Sequence, residues 1–119
     1  MPGSSQLFAV EDDIPLLLGV ECSRCHLTWF PRILLGCERC GSYGDDLTPR
    51  TFSSVGKLIS SAEIKQVDGQ YFTLASIALE DGPVIRAILD DEVPVSINDT
   101  VRASVMEDGD VLAIRFHKT

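Results

Sequence analysis

This sequence has no unpaired cysteine, no long apolar run and few cations. All four of its cysteines fall in two short Cys-x-x-Cys groups. No thiol is left over to act as a free nucleophile, and the two histidines, His26 and His117, have no spare cysteine to activate. No apolar stretch approaches the roughly eighteen residues that span a bilayer, so a membrane partner is not expected. The first twenty residues lack a cationic lead and a cleavable apolar segment; they carry Glu11, Asp12 and Asp13 instead. That pattern is not a secretion signal, and a cytoplasmic protein is the expectation. A Gly-rich phosphate loop leading into a helix is missing, as is any Ser-His-Asp order. No window of helical period stands out either, which excludes an α-helical bundle.

The shortage of cations sets a further limit. Ten Lys and Arg face eighteen Asp and Glu, for a formal charge of −8. Residues 1–18 carry −3, residues 19–50 balance at zero and residues 51–119 carry −5. Nucleic-acid binding draws most of its affinity from neutralised phosphates, and a C-terminal part with six cations against eleven carboxylates repels a polyanion on average. Nucleic acid is therefore not the expected partner. The hydrophobic fraction of 45% is ordinary for a folded chain, and 119 residues suit one or two small domains.

What the chain does have is a pair of matched knuckles. Cys22-Ser23-Arg24-Cys25 and Cys37-Glu38-Arg39-Cys40 are separated by eleven residues. This is the ligand spacing of a structural zinc ribbon, in which four thiolates close a tetrahedral site. Soft thiolates in a tetrahedron select zinc or an iron centre over hard cations. A fully coordinated ion has no open position, so one structural Zn²⁺ per chain should hold the fold and do no chemistry. The rival pairing into disulfides needs an oxidising compartment, which the N-terminus does not suggest. Four thiolates subtract four charges and zinc returns two, so the metallated chain stands near −10. Gly41 follows the second knuckle, where a positive φ is cheap for glycine, and His26 takes the same place after the first.

Three units follow: a flexible acidic lead-in over residues 1–17, a zinc ribbon over 18–48 and a β-barrel over 49–119. Within the ribbon, Pro15 to Glu21 reads as a strand entering the first knuckle. Leu27 to Phe30 reads as strand until Pro31, and Ser42 to Thr48 as loop. Beyond Thr51, five strands alternate with turns: Leu58–Val67, Tyr71–Leu79, Val84–Leu89, Val101–Met106 and Val111–Phe116. Asp68-Gly69, Asp81-Gly82-Pro83 and Asp108-Gly109 divide them, and Asp-Gly between apolar runs favours a type I′ turn with positive φ at both centres. Leu58, Ala62 and Ile64 should share the inner face, as should Val101, Ala103 and Val105, and Leu112, Ile114 and Phe116. The fold class is all-β: an N-terminal rubredoxin-like zinc ribbon followed by a small five-stranded OB-like barrel, its longest connection running from Asp90 to Thr100. Asp90-Asp91-Glu92 reads as a solvated acidic loop.

The order Cys22-x-x-Cys25, Trp29-Phe30-Pro31-Arg32, Cys37-x-x-Cys40-Gly41, followed by a strand near Gly56-Lys57-Leu58 and the ending Asp110 to Phe116, resembles the acyl-CoA-associated zinc-ribbon/OB-fold family. The resemblance covers about residues 18–117. Two departures stand out: only a short acidic segment precedes Leu16 where members often carry helices, and Glu38 stands where many have proline. The resemblance implies a non-catalytic accessory subunit of a thiolase-superfamily complex that cleaves C–C bonds in thiolytic or aldol fashion, in aromatic or steroid degradation. The partner would be a thiolase-like catalytic subunit in a hetero-oligomer, a heterotetramer, with acyl-CoA met only through the complex. The compact chain looks most like a dedicated partner such as the zinc-finger subunit of benzoylsuccinyl-CoA thiolase. Trp29, Phe30 and Arg32 are the candidates for partner or CoA contact, since aromatics and arginines dominate interface hot spots. Their structural alternative is packing over the metal, with Arg24 and Arg39 compensating the site's charge. The competing function is a single-stranded nucleic-acid-binding zinc-ribbon/OB protein, stacking bases on Phe52, Tyr71, Phe72 and Phe116.

Overall fold

The computed structural model describes residues 7–90, 92–108 and 111–119, with the side chains at 108, 111 and 112 left out. The chain is all-β, and among the described residues nine strands run in order: β1 Phe8–Glu11, β2 Ile14–Cys22, β3 Thr28–Trp29, β4 Leu47–Ser53, β5 Val55–Lys65, β6 Tyr71–Leu79, β7 Val84–Asp90, β8 Thr100–Asp108 and β9 Val111–Lys118. Apart from them, the described residues include a 3-10 turn at Gly44–Asp46.

The N-terminal sheet is organised around β2. β4 pairs with it antiparallel from Leu16 to Cys22. Along the opposite edge, β1 pairs with Ile14–Leu17 and β3 with Val20–Glu21. The sheet begins inside the segment expected to be a flexible lead-in. Asp12 and Asp13 take φ of 53° and 65° and close a two-residue hairpin between Glu11 and Ile14. Aspartate tolerates left-handed φ, and positive φ at both centres is the requirement of a type I′ turn. β4 in turn runs through the expected boundary at residues 48/49. Pro49 fits there because β4 pairs only with β2, so one edge needs no N–H.

The five C-terminal strands close a barrel in the order β5-β6-β7-β9-β8, with β7 and β9 parallel and the other pairs antiparallel. This is the expected small five-stranded barrel. Its core holds Leu58, Ala75, Ile77, Val101, Ala103 and Phe116, all at most 3% exposed. Val101, Ala103 and Phe116 fall on the inner face as the alternation predicts, with Ile114 packed against them. The Leu112 side chain and the whole of Gly109 lie outside what is described.

The inner row of β5 is a correction. Leu58 is buried, but Ala62 and Ile64 are exposed. A β-bulge falls between Leu58 and Ser60, so Ser61 pairs with buried Ala75 and Glu63 with buried Thr73. One extra residue reverses which side chains face inward. Past the bulge, therefore, Ala62 and Ile64 point out. The Asp68-Gly69 turn also differs from type I′: only Gly69 has positive φ, 87°, and its N–H bonds the carbonyl of Gln66 at 3.0 Å. Glycine thus sits one place later, as the fourth residue of a turn over 66–69.

Sheet and barrel share one core. Leu17 and Phe52, paired across β2 and β4, are fully buried in the same cluster as Leu58, Ile77 and Phe116. Phe52 is held between two glycines. A Cβ on Gly19 would lie 2.2 Å from its ring and one on Gly82 would lie 2.6 Å from it. Both positions must stay bare for the ring to seat. The turn carrying Gly82 is fixed by Asp81, whose carboxylate accepts the Ser53 N–H at 3.0 Å. A single residue, Ser54, separates β4 from β5.

Candidate metal centre

The two knuckles are built to one hydrogen-bond plan. In the first, the Cys22 N–H bonds the carbonyl of Leu27 and the His26 N–H bonds that of Cys22, both at 2.8 Å. In the second, Cys37 N–H bonds Ser42 and Gly41 N–H bonds Cys37, at 2.8 and 2.9 Å. The offsets are identical. His26 and Gly41, at φ 67° and 78°, supply the left-handed residue that each knuckle needs. β2 delivers Cys22 on the face opposite Leu17, so alternation along one strand feeds both the metal cluster and the barrel core.

The four Sγ atoms of Cys22, Cys25, Cys37 and Cys40 lie within 4.8 Å of one another. Cys22 and Cys40 are 3.6 Å apart, and Cys25 and Cys37 are 3.5 Å apart. A tetrahedron with metal–sulfur bonds of about 2.3 Å has edges of about 3.8 Å, so the donors fit one ion. No disulfide joins them. The thiols are unequal. Hydrogen bonds from the Ser42 hydroxyl, 3.1 Å away, and the Ser42 amide hold Cys40 down to about 6. Cys22 is lowered, chiefly by the amide of Cys25. For Cys25 the Leu27 amide acts downward, but burial and bonds to Cys37, Cys40 and Cys22 together raise it to about 11. Cys40 is also the exposed member. It offers the readiest thiolate for an incoming ion.

Trp29, Phe30 and Arg32 each have visible structural work. Trp29 packs against the cluster of Val20, Cys22, Cys37 and Leu47, and its indole N–H bonds the Ile33 carbonyl at 2.9 Å. Phe30 packs against the barrel core instead. Arg32 reaches back across the sheet, where Nε donates to the Gly19 carbonyl at 2.8 Å and Nη2 to that of Arg50 at 3.0 Å. Arg24 and Arg39 are exposed, and Arg24 lines a groove beside Cys40. His26 lies 3.6 Å from the Glu21 carboxylate, which also pairs with Arg50 at 2.6 Å.

The residues that sequence reading passed over are Ile33, Leu34 and Leu35, between the knuckles. They are 50%, 52% and 88% exposed. The signal was present as three consecutive aliphatics with no alternation, in a loop bounded by Pro31 and Gly36.

Other chemistries find less support. Ser104 Oγ bonds His117 Nε2, but His117 Nδ1 faces the carbonyl of Lys118 rather than a carboxylate, so no Ser-His-acid relay is assembled. Asp90 accepts the Glu92 N–H at 3.2 Å, an internal loop contact; Asp91 lies outside the described residues. Of the four aromatics a single-strand reader would stack on, Phe52 and Phe116 are fully buried. Tyr71 and Phe72 line a groove of about 660 Å³, together with Glu63, Asp90 and Arg115, which is not a basic channel.

No family model matches the chain, and no curated protein matches it. Among solved structures it is similar to the Ltp2-ChsH2(DUF35) aldolase, with a TM-score of 0.66 over 87% of this chain and 84% of that one. Sequence identity is 19%, so the likeness is one of fold, and it extends over ribbon and barrel together.

Proposed function

We propose that the chain is a non-catalytic accessory subunit of an acyl-CoA-processing complex whose chemistry resides in a thiolase-superfamily partner. The observation that carries this reading is the fold likeness, over 87% of this chain, to a chain of the Ltp2-ChsH2(DUF35) aldolase. A second support comes from within. All four cysteines converge on one point, so no thiol is free to carry an acyl group. In this reading the ion is Zn²⁺, held by Cys22, Cys25, Cys37 and Cys40, and its task is to fix the loop between the knuckles. The assembly is a heterotetramer in which acyl-CoA meets this chain only at the partner's surface. The reaction is a thiolytic or aldol-type C–C cleavage, of the kind used on aromatic or steroid acyl-CoA intermediates, with the benzoylsuccinyl-CoA thiolase arrangement as one analogue.

Native co-purification tests it. The tagged chain should bring down a thiolase-superfamily chain in fixed ratio, and the pair should turn over an acyl-CoA that neither component cleaves alone. Turnover by the isolated chain, or a native complex lacking any thiolase-superfamily member, would remove the proposal.

A further inference from the structure

The ribbon presents an apolar tip that neither core uses. Ile33, Leu34 and Leu35 belong to neither buried cluster and are not among the partly buried residues packed against them. Leu35 is 88% exposed. Three consecutive exposed aliphatics are costly on a free surface and persist where a surface is used for contact.

The tip is also held in shape. Its base is pinned by the Trp29 indole on the Ile33 carbonyl at 2.9 Å, and the Ile33 N–H bonds Pro31 O at 2.9 Å. Arg32, beside it, is tied to two strands through the carbonyls of Gly19 and Arg50. Cys25 and Cys37, the inner ligand of each knuckle, close both ends. A segment fixed before contact loses little conformational entropy on docking, which suits it to act as an anchor. The aromatic and arginine that would conventionally be read as contacts are here the struts behind the contact.

Charge decides what the tip docks into. The chain carries −8, and more once metallated, while the tip itself carries no acidic residue from Leu27 to Cys37. Two copies of so acidic a chain repel each other, and an anionic bilayer repels it as well. A protein surface of neutral or basic character is attracted, and the uncharged tip is where such a surface can come closest. We infer that Ile33, Leu34 and Leu35 form a preorganised plug that seats in an apolar, basic-rimmed socket on the partner subunit. This rests on the accessory-subunit reading given above.

The test begins with the wild-type chain purified from its native cell. The thiolase-superfamily chain it captures, identified by mass spectrometry, is then purified and titrated by biolayer interferometry. Leu35→Ser should weaken binding by about thirtyfold, and the triple Ile33→Ser, Leu34→Ser, Leu35→Ser variant should abolish it, as loss of a central hot spot does. Metal content and thermal midpoint should stay at the wild-type values, because these side chains lie outside both cores. Val84→Ser, an exposed apolar residue on β7, should leave affinity unchanged. Raising salt should slow association and leave dissociation nearly untouched. Wild-type affinity in the folded Leu35 and triple variants would overturn the plug while leaving the accessory reading intact. Equal loss from Val84→Ser would overturn it too. Tip-dependent binding to phosphatidylglycerol vesicles, or tip-dependent self-association in sedimentation, would replace it with a lipid or a second copy. Failure of the wild-type chain to capture any thiolase-superfamily chain sinks both readings.

Discussion

The ribbon and the barrel solve the same problem by different means. The barrel buries a large apolar cluster through strand closure, with Leu58, Ile77, Val101 and Phe116 essentially sealed from water. The ribbon has only Val20 and Leu47 as buried aliphatics beside its cysteines. Two buried aliphatics cannot offset the entropy of ordering some thirty residues; a metal that contributes on the order of 10–16 kcal/mol of apparent binding free energy can. The difference teaches that cross-links are used where burial falls short, and that such a region can hold apolar residues outward without collapsing around them. Phe52 is the point where the two strategies meet.

Breaking the comparison most severely means removing the ion. Chelation, or Cys37→Ser, should cost the ribbon on the order of 10 kcal/mol and unfold β3 with both knuckles. Hydrogen exchange should then show amide protection lost around Val20 and Leu47 but kept in β6, β7 and β8. Acid should act in the same direction: thiolates are the ligands and Cys25 holds its proton to about 11, so affinity falls steadily as pH drops and protons compete, with metal release followed by a colorimetric chelator. If the barrel strands lose protection in parallel, the two regions are one cooperative unit.

The next largest effect falls on the shared residue. Phe52→Ala leaves a cavity against Gly19 and Gly82 and should cost about 3–5 kcal/mol in chemical denaturation. Unlike chelation, it should lower the stability of both regions. A smaller change sharpens the junction: Ser54 is 1% exposed, and its Oγ has no hydrogen-bond partner among the described residues. Ser54→Ala should therefore be neutral or stabilising by about 1 kcal/mol, read as a higher denaturation midpoint. The smallest effect lies in the barrel's longest connection. Asp99 accepts the Ser96 N–H at 2.8 Å and stands 3.4 Å from Lys118, and these hold its carboxyl below the usual range. A depressed folded value means its contribution is present above the unfolded carboxyl's pKa of about 3.9 and is lost as pH falls toward the folded one. Asp99→Asn should lower the thermal midpoint slightly at pH 7, with the gap from wild type closing in acid.

The metal cluster was legible in the sequence because it is local chemistry. Ligand spacing, a glycine after one knuckle and a left-handed-tolerant histidine after the other are fixed within a few residues of each cysteine. The barrel strands were legible because alternation and Asp-Gly turns are also short-range signals. What escaped depends on partners far along the chain. The bulge beside Ile59 is set by pairing with Ser76 and Leu58's partner Ile77, and it sends Ala62 and Ile64 outward against their own alternation. β4 carries Thr48, which read as the end of a loop, and Pro49, Arg50 and Thr51, which fell in no expected strand until β2 offered an edge. The acidic Asp12-Asp13 pair read as charge, although its use is a hairpin. At the tip, aromatics and an arginine drew attention as contacts, and only three-dimensional placement shows them bonded inward with the aliphatics left facing solvent.

The repeated bonding plan of the two knuckles has one more implication. Each supplies half the candidate ligands from opposite ends of the same loop, so an ion held by all four would work as a hasp across that loop's base. Opening it frees both ends at once, and the shape of the ribbon's apex becomes a readout of metal supply. A cell starved of the metal these thiolates take would then hold copies of this chain with sound barrels but with nothing rigid to offer at the far end.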